Sequence, residues 1–158
     1  MSTVVDTLED LEPLLGTSLG VSSWVEISQE RINTFADVTE DHQFIHVDPE
    51  ACKEMSPWGV PIAHGFLTLS LLTHLSGSIP QPPERFDGIL MGVNYGFDKV
   101  RFVTPVKVGS RIRASSVLKS ADLKDPSNLQ IVRTITVEID GESKPACVAD
   151  WVTRLVYG

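Results

Sequence analysis

The chain has 158 residues, 42% of them hydrophobic, and a net charge of −8, a composition that excludes wholesale disorder, collagen and coiled coil. Its longest strongly apolar stretch, Phe66 to Leu72, is interrupted by Thr68 and Ser70 and falls far short of the roughly 20 residues of a membrane span. Six acids (Asp6, Glu9, Asp10, Glu12, Glu26, Glu30) precede the first basic residue, Arg31, unlike an export or transit signal, and Cys52 and Cys147 have no close-spaced partner for a zinc site or disulfide framework. The expectation is a soluble cytoplasmic protein with buried or free thiols, one domain over residues 1–158, and no membrane partner.

Taken along the chain, Leu8, Leu11 and Leu15 fall at helical spacing before Gly16, which predicts a short helical extension within residues 1–20. Trp24 to Ile27 reads as a strand. Ser28 is placed to cap a helix running to about Val38, with Ile32, Phe35 and Ala36 on its apolar face, and Asp48-Pro49-Glu50 opens another. Gly65 to about Leu75 is hydrophobic all round, which predicts a buried helix. The Pro-rich stretch from Ile79 to Pro83 reads as a loop. Beyond it, Gly88 to Val103, Arg111 to Leu118, Leu129 to Ile139 and Pro145 to Val156 alternate β-branched or aromatic residues with polar ones. These are four antiparallel strands, so the predicted class is α+β, with one buried helix packed against a curved antiparallel sheet.

Charge is unevenly distributed. Residues 1–80 hold 2 basic and 12 acidic residues, and residues 81–158 hold 11 basic and 9 acidic. Between Lys99 and Lys119 lie six basic residues and no acid. The stretch suits a local anionic ligand while the surface as a whole repels polyanions, so nucleic acid is excluded as a partner. It reads equally as the solvated side of a half-buried sheet.

Asp41-His42-Gln43-Phe44-Ile45-His46-Val47-Asp48-Pro49 concentrates two acids and two histidines in one short segment between helices. Eighteen residues after His46, His64-Gly65 opens the buried helix without a capping side chain, leaving amide groups that can polarise an anion or a developing oxyanion. Each residue also has a plain structural reading: Asp41 as a helix end, His42 as a solvated side chain, Asp48 as an N-cap, His64 as packing, Gly65 as a tight helix entry.

The segments Phe35 to Pro49 and Gly59 to Phe66, continued by Asn94-Tyr95-Gly96, Lys99 to Phe102 and Val108 to Arg111, resemble the MaoC-like (R)-specific enoyl-CoA hydratases, in a branch related to nodulation protein N. That resemblance implies the hotdog fold, a sheet wrapped around one long helix. It implies hydration of a trans-2-enoyl-CoA to an (R)-3-hydroxyacyl-CoA, reversible as a dehydration, with no metal or redox cofactor. Asp41 and His46 match the family's acid–base pair and Gly65 its oxyanion donor. Thr73 stands in the place of a helix hydroxyl that assists the pair in some members. Asn94, Lys99, Arg101 and Arg111 are the candidate substrate contacts, the basic ones toward phosphate, and a homodimer or higher homo-oligomer is implied, with the pocket at the interface. Two other readings share the fold: a hotdog thioesterase, and a non-catalytic acyl-thioester-binding subunit of a hetero-oligomeric hydratase.

Overall fold

The computed structural model describes residues 3–81 and 87–158. Helix α1 (Val4–Leu11) opens on a reciprocal cap: Thr3 Oγ1 accepts from the Asp6 amide, and the Asp6 carboxylate accepts from the Thr3 amide. A single 3-10 turn (Glu12–Leu14) extends it. Strands β1 (Ser18–Val21) and β2 (Val25–Glu26) follow, then α2 (Gln29–Thr39), capped by Ser28. Helices α3 (Phe44–Val47) and α4 (Pro49–Met55) share Asp48, which ends the first and caps the second through the Ala51 amide. Helices α5 (Gly65–Ser70) and α6 (Leu72–Gly77) lead to four long strands: β3 (Ile89–Phe102), β4 (Arg111–Asp125), β5 (Asn128–Ile139) and β6 (Cys147–Tyr157).

The antiparallel sheet runs β1-β4-β5-β6-β3, with β2 also pairing to β4. Register shifts at Asn94/Gly96 and Phe97/Lys99 in β3 and at Leu118/Ser120 in β4 add the local bend that lets the sheet curve. Two apolar clusters cover one face of it. Leu67, Leu72 and Leu75 of α5 and α6 pack on Ile112, Ala114, Ile135, Val137, Ala149 and Trp151. Val4 and Leu11 of α1 pack farther along, on Leu118, Leu129, Ile131, Leu155 and Tyr157.

The four predicted strands and the capped helices at Ser28 and Asp48 are present, and Cys52 and Cys147 are free and buried. Three expectations change. The N-terminal extension is helical only to Leu14; Ser18–Val21 are a strand, because the segment after the Gly16 turn finds its backbone partners on β4. The central helix is not continuous, breaking at Leu71, and it is not buried all round: Leu67, Thr68, Leu72 and Leu75 are buried, whereas Phe66 is 67% exposed and Ser70, Thr73 and His74 are open. Only the side facing the sheet is covered. The predicted Pro-rich loop lies partly outside the described residues, at Pro82 and Pro83.

Strand β3 is an edge, paired among the described residues with β6 alone. It exposes Leu90, Met91, Val93, Tyr95 and Phe97, a long apolar edge of the kind that soluble proteins cover.

Candidate active site

Helix α2 ends at Glu40, whose φ of 62° is the one positive value at a non-glycine among the described residues. A left-handed residue here costs energy that glycine would avoid, and it turns the chain sharply so that Asp41 begins the segment leading to α3. That short helix carries His46 on its inner side. Across from it the chain from Ile62 to His64 is extended and anchored on both sides: the Ile62 amide donates to the Ile45 carbonyl at 2.9 Å and the Ala63 amide to the Val106 carbonyl at 2.7 Å. These bonds turn the Ile62 carbonyl toward His46.

The two histidines are oriented by the main chain. His46 Nδ1 donates to the Ile62 carbonyl at 2.7 Å, and His64 Nε2 donates to the Asp41 carbonyl at 2.9 Å. A carbonyl only accepts, so the hydrogen-bonded nitrogens are the donors, His46 Nδ1 and His64 Nε2, which leaves His46 Nε2 and His64 Nδ1 as the ring atoms without a backbone partner. The rings stack at 3.8 Å between centroids, tilted by 23°, and Phe35 closes the other side of His64 at 4.9 Å. Burial holds the His46 pKa below the ordinary imidazole value, helped by the neighbouring His64, while the bond to Ile62 and the Asp41 charge pull the other way. One carboxylate oxygen of Asp41 and one ring nitrogen of each histidine lie within 4.8 Å of one another. This is the one cluster among the described residues with donors spaced to share a cation, and the same spacing lets a carboxylate and a neutral imidazole hold one water molecule between them.

A cavity of about 220 Å³ adjoins His46, lined also by Ile62, Ala63, Gly65, Thr68 and Phe102. Gly65 is the first residue of α5, whose N-terminus carries no side-chain cap, as expected from its sequence. Gly65 is not in the left-handed region. Its lack of a side chain has another cause: a Cβ there would stand 3.0 Å from Phe102 Cγ. The structure brings Asp41, His46, Gly65 and His64 to one corner. His64, read from sequence mainly as packing, is 2% exposed and joins the Asp41 backbone to the His46 ring. The His-Gly dipeptide was the available signal.

Other predicted residues lie elsewhere. Thr73 does not line the His46 cavity; the helix hydroxyl that does is Thr68, because Thr73 follows the break at Leu71 and faces a second groove with Asn94. Asn94 Oδ1 accepts from Trp151 Nε1 at 3.0 Å, beside the β3 register shift, so it serves both the groove and the bend. Lys99 and Arg101 are exposed on β3 and form no salt bridge among the described residues; Arg101 Nη1 donates to the Val100 carbonyl at 2.7 Å. Arg111 is ion-paired with Asp140 and lies 5.7 Å from the Trp24 ring, and Arg113 pairs with Glu138 at 2.5 Å. Lys119 pairs with Asp150 at 2.7 Å. Half of the basic stretch is thus matched by acids on β5, β6 and the turn after β5. His42 is exposed and pairs with Asp37 at 2.9 Å, away from the cavity.

Residues 10–140 match the MaoC-like domain family. The chain is 48% identical over 147 residues to nodulation protein N of Rhizobium meliloti, covering 92% of this chain and 89% of that one. It is 44% identical over 151 residues to 3-hydroxyacyl-thioester dehydratase Z of Mycobacterium tuberculosis, covering 96% and 97%. Its fold superposes on that of the MaoC-like dehydratase from Rhodospirillum rubrum with a TM-score of 0.74 at 18% identity, over 96% and 97% of the two chains. With a six-stranded sheet curved against α5 and α6, and a sequence match running from α1 to the end of β5, this chain belongs to the MaoC-like dehydratase family and has its hotdog fold.

Proposed function

We propose that this member of the family adds water to a trans-2-enoyl thioester, giving the (R)-3-hydroxyacyl thioester, and catalyses the reverse dehydration. The observation that carries the reading is the His46 ring, oriented by its Nδ1–H on the Ile62 carbonyl, with a ring nitrogen within 4.8 Å of an Asp41 carboxylate oxygen. Asp41 and His46 hold the attacking water. As the water oxygen bonds to C3, one of its protons passes to the pair, the C2–C3 π electrons move toward the thioester oxygen, and a proton is returned to C2. Acid–base help of this kind is worth about 10²–10⁴ in rate. A depressed His46 pKa suits a base that must be neutral near pH 7. The Gly65 amide, uncapped at the cavity wall, is positioned to receive the negative charge that develops on the thioester oxygen. The (R) stereochemistry and the CoA carrier rest on the family resemblance, with the exposed Lys99 and Arg101 as the candidate cations for the carrier's phosphates.

The protein works as a homodimer in this reading, with the exposed apolar edge of β3 and the open face of Phe66 covered by a second copy. A solution mass equal to one chain at assay concentration would refute that. The activity is tested with crotonyl-CoA, following the conjugated enoyl absorbance and free thiol together. Hydration removes the first without releasing the second. Thiol release would identify a thioesterase, and no change in either would identify a non-catalytic binding subunit.

A further inference from the structure

The acid–base pair and the Gly65 amide stand on segments that need something to hold them together. Asp41 follows the left-handed Glu40 and lies in the stretch 41–43, which belongs to no helix or strand. Its side chain accepts from the nearby Gln43 amide at a long 3.4 Å. Among the described residues, the one hydrogen bond that ties Asp41 to a distant part of the chain comes from 23 residues away, where His64 Nε2 donates to its carbonyl at 2.9 Å. A strained turn and one long local contact do not hold a loop residue within the roughly 0.5 Å that a catalytic constellation tolerates.

His64 is itself firmly placed. Its carbonyl opens α5 by accepting from the Leu67 and Thr68 amides at 3.0 and 3.3 Å, the Ala63 amide before it is tied to the Val106 carbonyl at 2.7 Å, and its ring lies between Phe35 and His46. The next residue is Gly65. One side chain therefore joins the loop that carries Asp41 to the helix whose first amide borders the cavity. Packing alone does not account for a histidine here: Nδ1 is buried with no hydrogen-bond partner. An orphaned buried polar atom lowers stability, so a phenylalanine would fill the space at less cost. What phenylalanine lacks is the Nε2–H donor.

We propose that His64 is a positioning residue for the hydration: through its bond to the Asp41 carbonyl it holds the Asp41 carboxylate in place relative to His46 and the Gly65 amide. It transfers no proton itself. The inference rests on the hydratase reading and deepens it, because the geometry of the pair is assigned to a residue outside the pair. Misplacing a reacting group by about 1 Å costs about 10²-fold in rate, which sets the scale of the effect.

Three substitutions separate the bond from the bulk. His64→Gln keeps a donor with the reach of Nε2, His64→Asn keeps a donor that falls short, and His64→Phe keeps the ring without a donor. With crotonyl-CoA, kcat is expected to fall about 10–100-fold in His64→Phe and His64→Asn and to stay within about threefold of wild type in His64→Gln. KM should change little in all three, since the bond contributes to placement of the pair and not to uniform binding of substrate. The melting temperature of His64→Phe should hold, so that rate and stability separate. Nitrogen-15 relaxation gives a readout apart from turnover: order parameters of the Asp41 and His42 amides should stay near the rigid value of about 0.85 in wild type and His64→Gln and drop toward about 0.6 in the other two. Wild-type kcat in His64→Phe, unchanged order parameters in that variant, or a His64→Gln as slow as His64→Phe would overturn the proposal. Wild-type protein that leaves crotonyl-CoA untouched would refute the hydratase reading instead, and the order parameters would then decide by themselves whether His64 holds Asp41.

Discussion

Two buried polar patches lie against this sheet, and they are built on opposite principles. At the His46–His64 corner each ring is tied to a backbone carbonyl and stacked on its neighbour. In the band that Ser116, Arg133 and Thr153 form across β4, β5 and β6, Ser116 Oγ, Arg133 Nε and Thr153 Oγ1 have no hydrogen-bond partner. An oriented ring with one free nitrogen is ready to move a proton at a fixed point, and gains nothing from a permanent occupant. An unsatisfied buried group carries a penalty of about 1–3 kcal/mol. The difference separates rings held in one orientation from polar atoms that no hydrogen bond orients.

The largest break in that comparison comes from the proton-transfer groups. Asp41→Asn and His46→Gln should each lower turnover of crotonyl-CoA by about 10²–10⁴ while circular dichroism stays native. His42→Gln, removing a solvated pair with Asp37, should leave the rate near wild type. Wild-type turnover in either of the first two variants would remove that residue from the chemistry.

Gly65→Ala should cost about 10²–10³ in turnover if its amide serves the thioester oxygen. The added Cβ also meets Phe102 at 3.0 Å, so a modest drop in melting temperature is expected, limited because the half-exposed Phe102 ring can move aside. Adding Phe102→Leu should restore the melting temperature without restoring the rate. Recovery of both would reduce Gly65 to a packing residue.

His64 sharpens the comparison further. His64→Phe keeps a ring against His46 but loses the bond to the Asp41 carbonyl and the neighbouring imidazole that adds to the effect of burial in holding the His46 pKa down. Turnover should fall less than in His46→Gln, and the acid limb of the pH–rate profile should move to higher pH. In the wild type that limb is expected below 6.5, the ordinary histidine value, because His46 is depressed. The stability sign follows: a histidine with a lowered folded pKa binds protons more readily when unfolded, so His46 lowers stability as pH falls below 6.5 and is neutral in effect above it. Melting curves across that range check the direction.

The smallest effects concern the exposed cations. Lys99→Ala with Arg101→Ala should raise the Michaelis constant for CoA substrates a few-fold at low salt, the scale of about 0.2–1 kcal/mol for an exposed charge contact, with little change in kcat. Arg111→Ala with Arg113→Ala should do less, since both are engaged by Asp140 and Glu138. Equal effects from the two pairs would show that the ion pairs do not withhold Arg111 and Arg113 from substrate.

Asp41, His46 and Gly65 were legible because the chemistry they suit needs those residue types, and because they stand in short motifs on either side of one loop. The break at Leu71 cannot be read from an unbroken apolar run; the phase of the helix on either side of it sets Thr68 on the His46 cavity and Thr73 on the groove with Asn94. The basic stretch was visible as composition, but its partners Glu138, Asp140 and Asp150 lie on other strands, found only once the register is known.

Local pattern by itself determined the strands, the caps at Ser28 and Asp48, and the family to which the chain belongs, because alternation, capping and short motifs act over a few neighbouring residues. Tertiary structure alone decided that His64 would bridge Asp41 and His46, that β1 would join the sheet, and that Ser116, Arg133 and Thr153 would line up across three strands. Those outcomes depend on strand register and on where a distant carbonyl points, and both are set by packing between segments far apart in the chain.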